Sequence, residues 1–426
     1  MGSIEKLTAK NYKNLRLEEG LQLGSLNIFI GPNGSGKSNL IAVFEFLKNA
    51  ITAPFDDTRG RTSFDDAVFG LGGPRILDAF LEPPANVKFE FEFVSTDTRD
   101  NQALELELLA QNAHKKVIIN QESLYNNQII IKGKPFLFYK CHSNTSGVGG
   151  IAVYDDPNST YTHFEQLLDV PVDELALTTI PKLLESSEFS LDNTPLYRIR
   201  RPLVDTISRW RFYNANDMDL KEIRYSEPKI GPGDVFLSPS GENLALVLDN
   251  LIQKDLDFEE SINNAIKAIL PSTRRLRAVR SGRLSLTIEW HFDNMHEPFY
   301  LSEMSDGTVR MLCWATILLS PELPTLLVID EPELGIHVAW MQTLAEWIKQ
   351  ASTRTQVIVS THSPDLLDHF TDQVENIFVF QPTDGDKSHF AVKPLSPQDV
   401  AEGIQEGWQL GDLYRVGDPS IGGWPW

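Results

Sequence analysis

Eight residues near the start of the chain, Gly31-Pro32-Asn33-Gly34-Ser35-Gly36-Lys37-Ser38, match the pattern G-x-x-x-x-G-K-[ST]. The flanks have opposite local character. Residues 26–30 (Leu-Asn-Ile-Phe-Ile) are a short apolar run that reads as a strand, and residues 39–49 carry Leu40, Val43, Phe44 and Leu47 at helical spacing. A strand that passes through a glycine-rich loop into a helix turns backbone N–H groups inward and adds the partial positive charge of the helix N-terminus. That arrangement cradles phosphate oxygens and commits the segment to an α/β architecture. Candidate phosphate contacts are Asn33, Gly34, Ser35, Gly36, Lys37, Ser38 and Asn39. Lys37 would reach the β- and γ-phosphates of a nucleotide, and the Ser38 hydroxyl would ligate Mg2+. The alternative is a glycine-rich turn with a solvated lysine, against which the strand and helix context weighs.

Far along the chain, Leu326-Leu327-Val328-Ile329-Asp330-Glu331 reads as a buried strand that ends in two carboxylates. An α/β sheet places its ligands at the C-terminal tips of such strands. There Asp330 is a candidate for holding Mg2+ and Glu331 for polarising an attacking water, although the pair alone could equally cap a helix. Upstream, Leu301-Ser302-Glu303-Met304-Ser305-Asp306-Gly307-Thr308 precedes an apolar helix, whose start offers a hydroxyl and free N–H donors to an anion. Downstream, Val357-Ile358-Val359-Ser360-Thr361-His362 is a strand ending in a histidine.

In this order of phosphate loop, Ser-Asp-Gly, Asp-Glu and His, the chain resembles the ABC-type ATPases of the SMC, RecF and OLD-like group, with the stand-alone AAA-type ATPases grouped with them. The likeness is carried by residues 1–50 and 302–370 and is weak between. It implies ATP and Mg2+ as cofactors. By the same resemblance Gly31–Ser38 is the Walker A loop, Ser305–Thr308 the signature, and Asp330-Glu331 the Walker B pair. Pro332–His337 is then the D-loop and His362 the γ-phosphate sensor, with Glu331, Lys37 and His362 as the catalytic set. In that group two heads sandwich ATP, so Ser305 and Gly307 are expected to act on nucleotide held by a second copy, in a homodimer or higher even oligomer. The resemblance further implies a switch in a nucleic-acid transaction or antiphage defence, controlling a separate nuclease or toxin. Rival readings are the nucleotide-binding subunit of a transporter and a scaffold without turnover. Met304, Asp306 and His337 depart from the group's usual residues, and no Q-loop glutamine is placed.

The expected fold class is α/β: a P-loop NTPase with an ABC/SMC-like head, a mixed central sheet, an antiparallel β subdomain and a helical insertion. Residues 87–93 alternate apolar and charged, and 104–108, 116–120 and 128–132 look similar, which predicts an antiparallel sheet with one wet face. Residues 162–215 read as helical, broken at Pro171 and Pro181. A strand is expected at 284–292, and parallel strands at 323–329 and 356–360 around a helix at 338–351. The expected division is 1–95 and 301–385 as the two parts of the head, 96–230 as an insertion or lid, 231–300 as a joining segment, and 386–426 as a tail. Residues 407–426, with Trp408, Trp424 and Trp426, look too irregular for a helix and read as a clasp on the chain's own surface or an anchor for another subunit.

A formal charge of −21 works against coating nucleic acid or an anionic membrane, but Arg274, Arg275, Arg277, Arg280 and Arg283 make a local exception. They fit DNA or RNA phosphates, or equally the chain's own carboxylates. Two cysteines, Cys141 and Cys313, offer no disulfide framework or Cys-rich zinc site, and no apolar run approaches the roughly 20 residues of a membrane helix. A cytoplasmic protein without a membrane partner is expected.

Overall fold

The computed structural model describes residues 3–52, 62–95, 101–111, 116–142, 147–156, 161–185, 189–231, 233–383 and 386–422. By contacts the chain divides into two units. The first comprises Met1–Gly24, Asn33–Trp210 and Phe380–Lys393; the second comprises Ser25–Pro32, Arg211–Val379 and Pro394–Trp426.

In the first unit a long sheet runs β17 (Asp386–Pro394), β2 (Leu15–Gln22), β1 (Ser3–Tyr12), β4 (Ala85–Val94), β5 (Gln102–Ala110), β6 (Val117–Ile131), β7 (Lys134–His142), β8 (Val148–Tyr154), β9 (Thr162–Leu167). Neighbours are antiparallel except β17 and β2. The alternation in β4 sends Val87, Phe89, Phe91 and Phe93 into the core, while on the wet face Lys88 meets Glu105 at 2.5 Å. The helices are α1 (Lys37–Thr52), α2 (Ser63–Gly70), α3 (Ala176–Glu185) and α4 (Leu196–Ser208). The apolar stripe of α1 covers the dry face: Phe44 meets Phe91 and Trp210 edge-on, and Phe46 meets Phe64 and Phe89. Each such ring contributes about 2–3 kcal/mol by burial.

One buried carboxylate in this unit makes its stability depend on pH. Glu122 on β6 accepts from the Tyr139 hydroxyl at 2.6 Å and from the first N–H groups of α3, Ala176 at 2.6 Å and Leu177 at 2.8 Å. Burial outweighs these donors and pushes the carboxyl from its ordinary 4.5 up to about 6. The folded state therefore binds this proton more tightly than the unfolded chain, and the group's contribution falls as pH rises between those two values. Comparing urea unfolding of the wild type and Glu122→Gln at pH 4.5 and 7, the difference in stability should change by about 2 kcal/mol. A pH-independent difference would contradict this account.

In the second unit a parallel sheet runs β10 (Arg211–Asn214), β14 (Leu326–Asp330), β15 (Gln356–Ser360), β3 (Leu26–Ile30) and β16 (Ile377–Thr383). β3 and β15 are buried throughout and β14 up to its last residue, as central parallel strands with both faces covered must be. A smaller antiparallel sheet holds β11 (Thr273–Ser281), β12 (Ser285–Phe292) and β13 (Phe299–Tyr300). The helices here are α5 (Leu220–Tyr225), α6 (Leu244–Lys254), α7 (Leu256–Ile269), α8 (Asp306–Leu318), α9 (Met341–Ser352), α10 (Pro364–Asp368), α11 (Pro397–Gln405) and α12 (Leu410–Val416). Trp290 and Trp314 are fully buried, and each indole N–H finds an acceptor, Thr273 Oγ1 at 2.9 Å and the Pro332 carbonyl at 3.0 Å.

Several sequence expectations need correction. Within 162–215, residues 162–167 are strand β9, drawn out by pairing with β8, and 211–214 are β10, drawn out by β14. Pro181 lies inside α3 rather than breaking it. Residues 128–131 are the far end of β6, not a separate strand. The hairpin of β1 and β2 was not anticipated at all. Within the supposedly irregular tail, residues 410–416 form α12, anchored by buried Leu410, Leu413 and Tyr414. Trp408 is 40 % exposed, which does not fit a clasp, while Trp424 and Trp426 lie outside the described residues. Residues 143–146 and Pro232 also lie outside them. Cys141 and Cys313 are buried free thiols. Among the described residues no helix is long and apolar enough to cross a membrane.

Candidate functional site

Parallel pairing aligns the C-terminal ends of the second unit's sheet. Asn214 pairs with Asp330, Asp330 with Ser360, and Ser360 with Phe29. Only β15 separates Asp330 from the end of β3, so the acidic tip and the start of the glycine loop stand about two strand spacings, roughly 10 Å, apart on one sheet edge. Asp330 is held from both sides: Asn214 Nδ2 donates to Oδ2 at 2.8 Å, and the Ser360 hydroxyl donates to Oδ1.

Glu331 breaks out of the strand with φ +51°, a left-handed conformation costly for a residue with a Cβ. Its N–H still donates to the Ser360 carbonyl at 2.9 Å, so the turn is pinned to β15. Its carboxylate lies 3.5 Å from His362 Nε2 and 3.5 Å from Asn216 Nδ2. A carboxylate and an imidazole this close, both about a quarter exposed, can together orient and deprotonate a water.

The remainder of the phosphate loop, from Asn33, belongs to the first unit. Ser35, Gly36 and Lys37 are buried, Asn39 half-buried, and Asn33, Gly34 and Ser38 exposed. Gly34 and Gly36 have φ +77° and +101°, and a Cβ on Gly36 would stand 2.6 Å from Leu15. The turn between β1 and β2 braces the loop. Asn14 Nδ2 donates to the Gly34 carbonyl at 2.9 Å, Asn39 Nδ2 donates to Asn14 Oδ1 at 2.9 Å, and Lys13 Nζ donates to Asn39 Oδ1 at 2.9 Å. The Ser35 hydroxyl is buried without a hydrogen-bond partner, which suits a loop shaped for the oxygens of a bound phosphate. No cluster of three His, Cys, Asp or Glu that could hold a metal occurs among the described residues. Mg2+ needs no such cluster where one or two protein oxygens and nucleotide phosphates supply its ligands.

Ser305 caps α8, accepting from Thr308 N at 3.3 Å, and is exposed. Arg224 secures this end by pairing with Asp306 at 2.5 Å and donating to the Met304 carbonyl at 2.8 Å. Gly307 is needed for close approach: a Cβ there would lie 3.0 Å from the Gly335 carbonyl. Arg310 donates to the Ala215 carbonyl, and Trp314 holds Pro332, so α8 is fastened to the segment that follows Glu331.

Sequence reasoning missed Asn14, Asn214, Asn216, Glu333 and Tyr414. Tyr414 of α12 donates to the Gly31 carbonyl at 3.4 Å, and burial beside Glu333 pushes its phenol up. Arg415 fastens α12 to α10 through Asp365 at 2.6 Å and Asp368 at 3.1 Å. The one available signal was the third carboxylate, Glu333, in Asp330-Glu331-Pro332-Glu333.

The five arginines line the β11–β12 hairpin and all are exposed. Arg275 pairs with Glu259 at 2.5 Å, and Arg277 stands opposite Glu289 in the register. On α4, Arg201 reaches Asp205 at 3.8 Å and Arg200 donates to the Leu177 carbonyl at 2.7 Å.

The family described as “AAA domain, putative AbiEii toxin, Type IV TA system” matches residues 26–124 and 153–368, well over half of the chain. The chain belongs to this AAA family. Its sequence is also similar to the “Retron Vc95 probable ATPase” of Vibrio cholerae, 21% identical over 379 residues that cover 81% of this chain and 67% of that protein. A shorter stretch resembles the UvrABC system protein A of Clostridium perfringens, 26% identical over 140 residues, 33% of this chain and 15% of that protein. Among solved structures, an SMC head bound to the C-winged helix domain of ScpA is similar with a TM-score of 0.49 and 14% identity, covering 92% of this chain and 98% of that one. The AAA family match spans β3, α1, α8, β14 and β15, the elements on which the motif order rests.

Proposed function

We propose that this AAA protein binds ATP with Mg2+, hydrolyses it slowly, and uses the cycle as a two-copy switch over a separate effector. The observation that carries the reading is Glu331, 3.5 Å from His362, on the same sheet edge as Asp330 and the first residue of the phosphate loop. In this reading Asn33–Gly36 and Asn39 surround the phosphates, Lys37 takes the β- and γ-phosphate charge, and Ser38 and Asp330 hold the cation. Bound Mg2+ offsets the charge that builds on the phosphate oxygens. Glu331 accepts the proton of the attacking water, and His362 keeps that carboxylate and the γ-phosphate in line. Ser305, exposed at the start of α8, and Gly307 behind it would meet the γ-phosphate held by a second copy. A site completed only by closure turns over slowly.

Similarity to a retron ATPase and to a family named for a toxin–antitoxin system supports a defence role with a separate nuclease or toxin. The exposed arginines Arg274, Arg275, Arg277, Arg280 and Arg283 support a DNA or RNA contact, with Arg275 weakened for it by Glu259. The division into two head segments around an insertion at 96–230 belongs to the same reading.

The purified chain should release phosphate from Mg-ATP and double its mass by light scattering when ATP is added. ATP binding without phosphate release would reduce the protein to a scaffold.

A further inference from the structure

Glu333 takes no part in the reading above, yet it sits among the groups that do. Its Oε1 accepts two hydrogen bonds, from the Thr361 hydroxyl at 2.7 Å and from the His362 backbone N–H at 3.0 Å. Thr361 is in turn fixed to the loop-bearing strand, its N–H donating to the Phe29 carbonyl at 3.1 Å, and its hydroxyl accepts from Ser363 N at 3.0 Å. The other carboxylate oxygen, Oε2, is buried with no hydrogen-bond partner. Two residues upstream, Glu331 meets the imidazole of the same His362. One short segment therefore grips the histidine at both ends, by its backbone through Glu333 and by its ring through Glu331.

We propose that Glu333 is a positioning residue of the ATPase site: it fixes the backbone of His362 so that the imidazole stands against Glu331. The assignment rests on the ATPase reading for its kinetic consequence, but the grip on His362 exists independently of turnover. Because only Oε1 receives donors, the role requires an acceptor of this shape and not a negative charge. Burial already pushes this carboxyl toward its neutral form, ahead of the donors that oppose it.

The test uses the full chain with Glu333→Ala and Glu333→Gln. Steady-state hydrolysis of Mg-ATP should show kcat lowered tenfold or more in Glu333→Ala with KM for ATP within threefold. Glu333→Gln, which keeps the acceptor oxygen, should return kcat to within threefold of the wild type. In parallel, amide hydrogen exchange of the peptide covering residues 358–366 should speed up at least tenfold in Glu333→Ala and be restored in Glu333→Gln. Wild-type kcat in Glu333→Ala, or Glu333→Gln as slow as Glu333→Ala, overturns the assignment, the second because it would make the charge itself essential. If the wild type hydrolyses no ATP, the ATPase reading fails by itself, and exchange then decides the placement of His362: an unchanged rate in Glu333→Ala overturns it.

Discussion

Glu331→Gln should stop phosphate release while ATP binding persists, so that the protein accumulates as an ATP-bound dimer. The substitution keeps the side chain's length and an acceptor oxygen, and it removes the carboxylate that faces His362 at 3.5 Å. Loss of a general base costs about 10²–10⁴-fold in rate. Ground-state binding depends on the phosphate loop, which this change does not touch. The left-handed backbone at residue 331 is retained, since glutamine bears the same strain as glutamate there. Phosphate release, ATP titration and light-scattering mass together give the result. A variant that binds ATP with wild-type affinity and stays monomeric would sink the two-copy model; one that still hydrolyses would remove Glu331 from the chemistry.

Lys37→Met should weaken ATP binding and abolish phosphate release. Lys37 is 5 % exposed at the first residue of α1, where the helix's partial positive charge opposes a cation. The same helix N-terminus favours a phosphate, which the Lys37 ammonium would meet. Affinity for ATP should fall by about ten- to a hundredfold with the loss of a charge-assisted contact of about 1.5–3 kcal/mol. Phosphate release should vanish. Thermal melting with and without Mg-ATP reads the loss of binding: the wild type is stabilised by nucleotide and the variant is not. A variant that Mg-ATP stabilises as strongly as the wild type would remove Lys37 from nucleotide binding.

What could be read from the amino acids alone was what depends on neighbours in sequence. The phosphate loop declares itself because its glycines at 34 and 36 adopt positive φ, a local requirement written in residue type. The strand before it and the helix after it follow from apolar spacing, as do the alternating β4 and the apolar β14 and β15. The order of loop, Ser-Asp-Gly, Asp-Glu and His identified the ATPase class because each piece sits at the end of an element whose type was itself legible.

The rest needed partners far away in the chain. Residues 162–167 carry no strong strand signal and become β9 through hydrogen bonds to β8, just as 211–214 become β10 only beside β14. Asn214 gains a role by standing in register with Asp330, and Asn14 by lying beneath Gly34. Tyr414 reaches Gly31 from the other end of the chain, on a helix whose few apolar residues looked irregular until α10 supplied their partners. Amino-acid sequence by itself determined the phosphate loop, its flanking elements and the acidic strand tip, because backbone preference and hydrophobic period act over a few residues. Only tertiary structure decided which polar groups hold Asp330, Glu331 and His362 in place, because hydrogen bonding between segments 28 to 116 residues apart leaves no periodic trace in either.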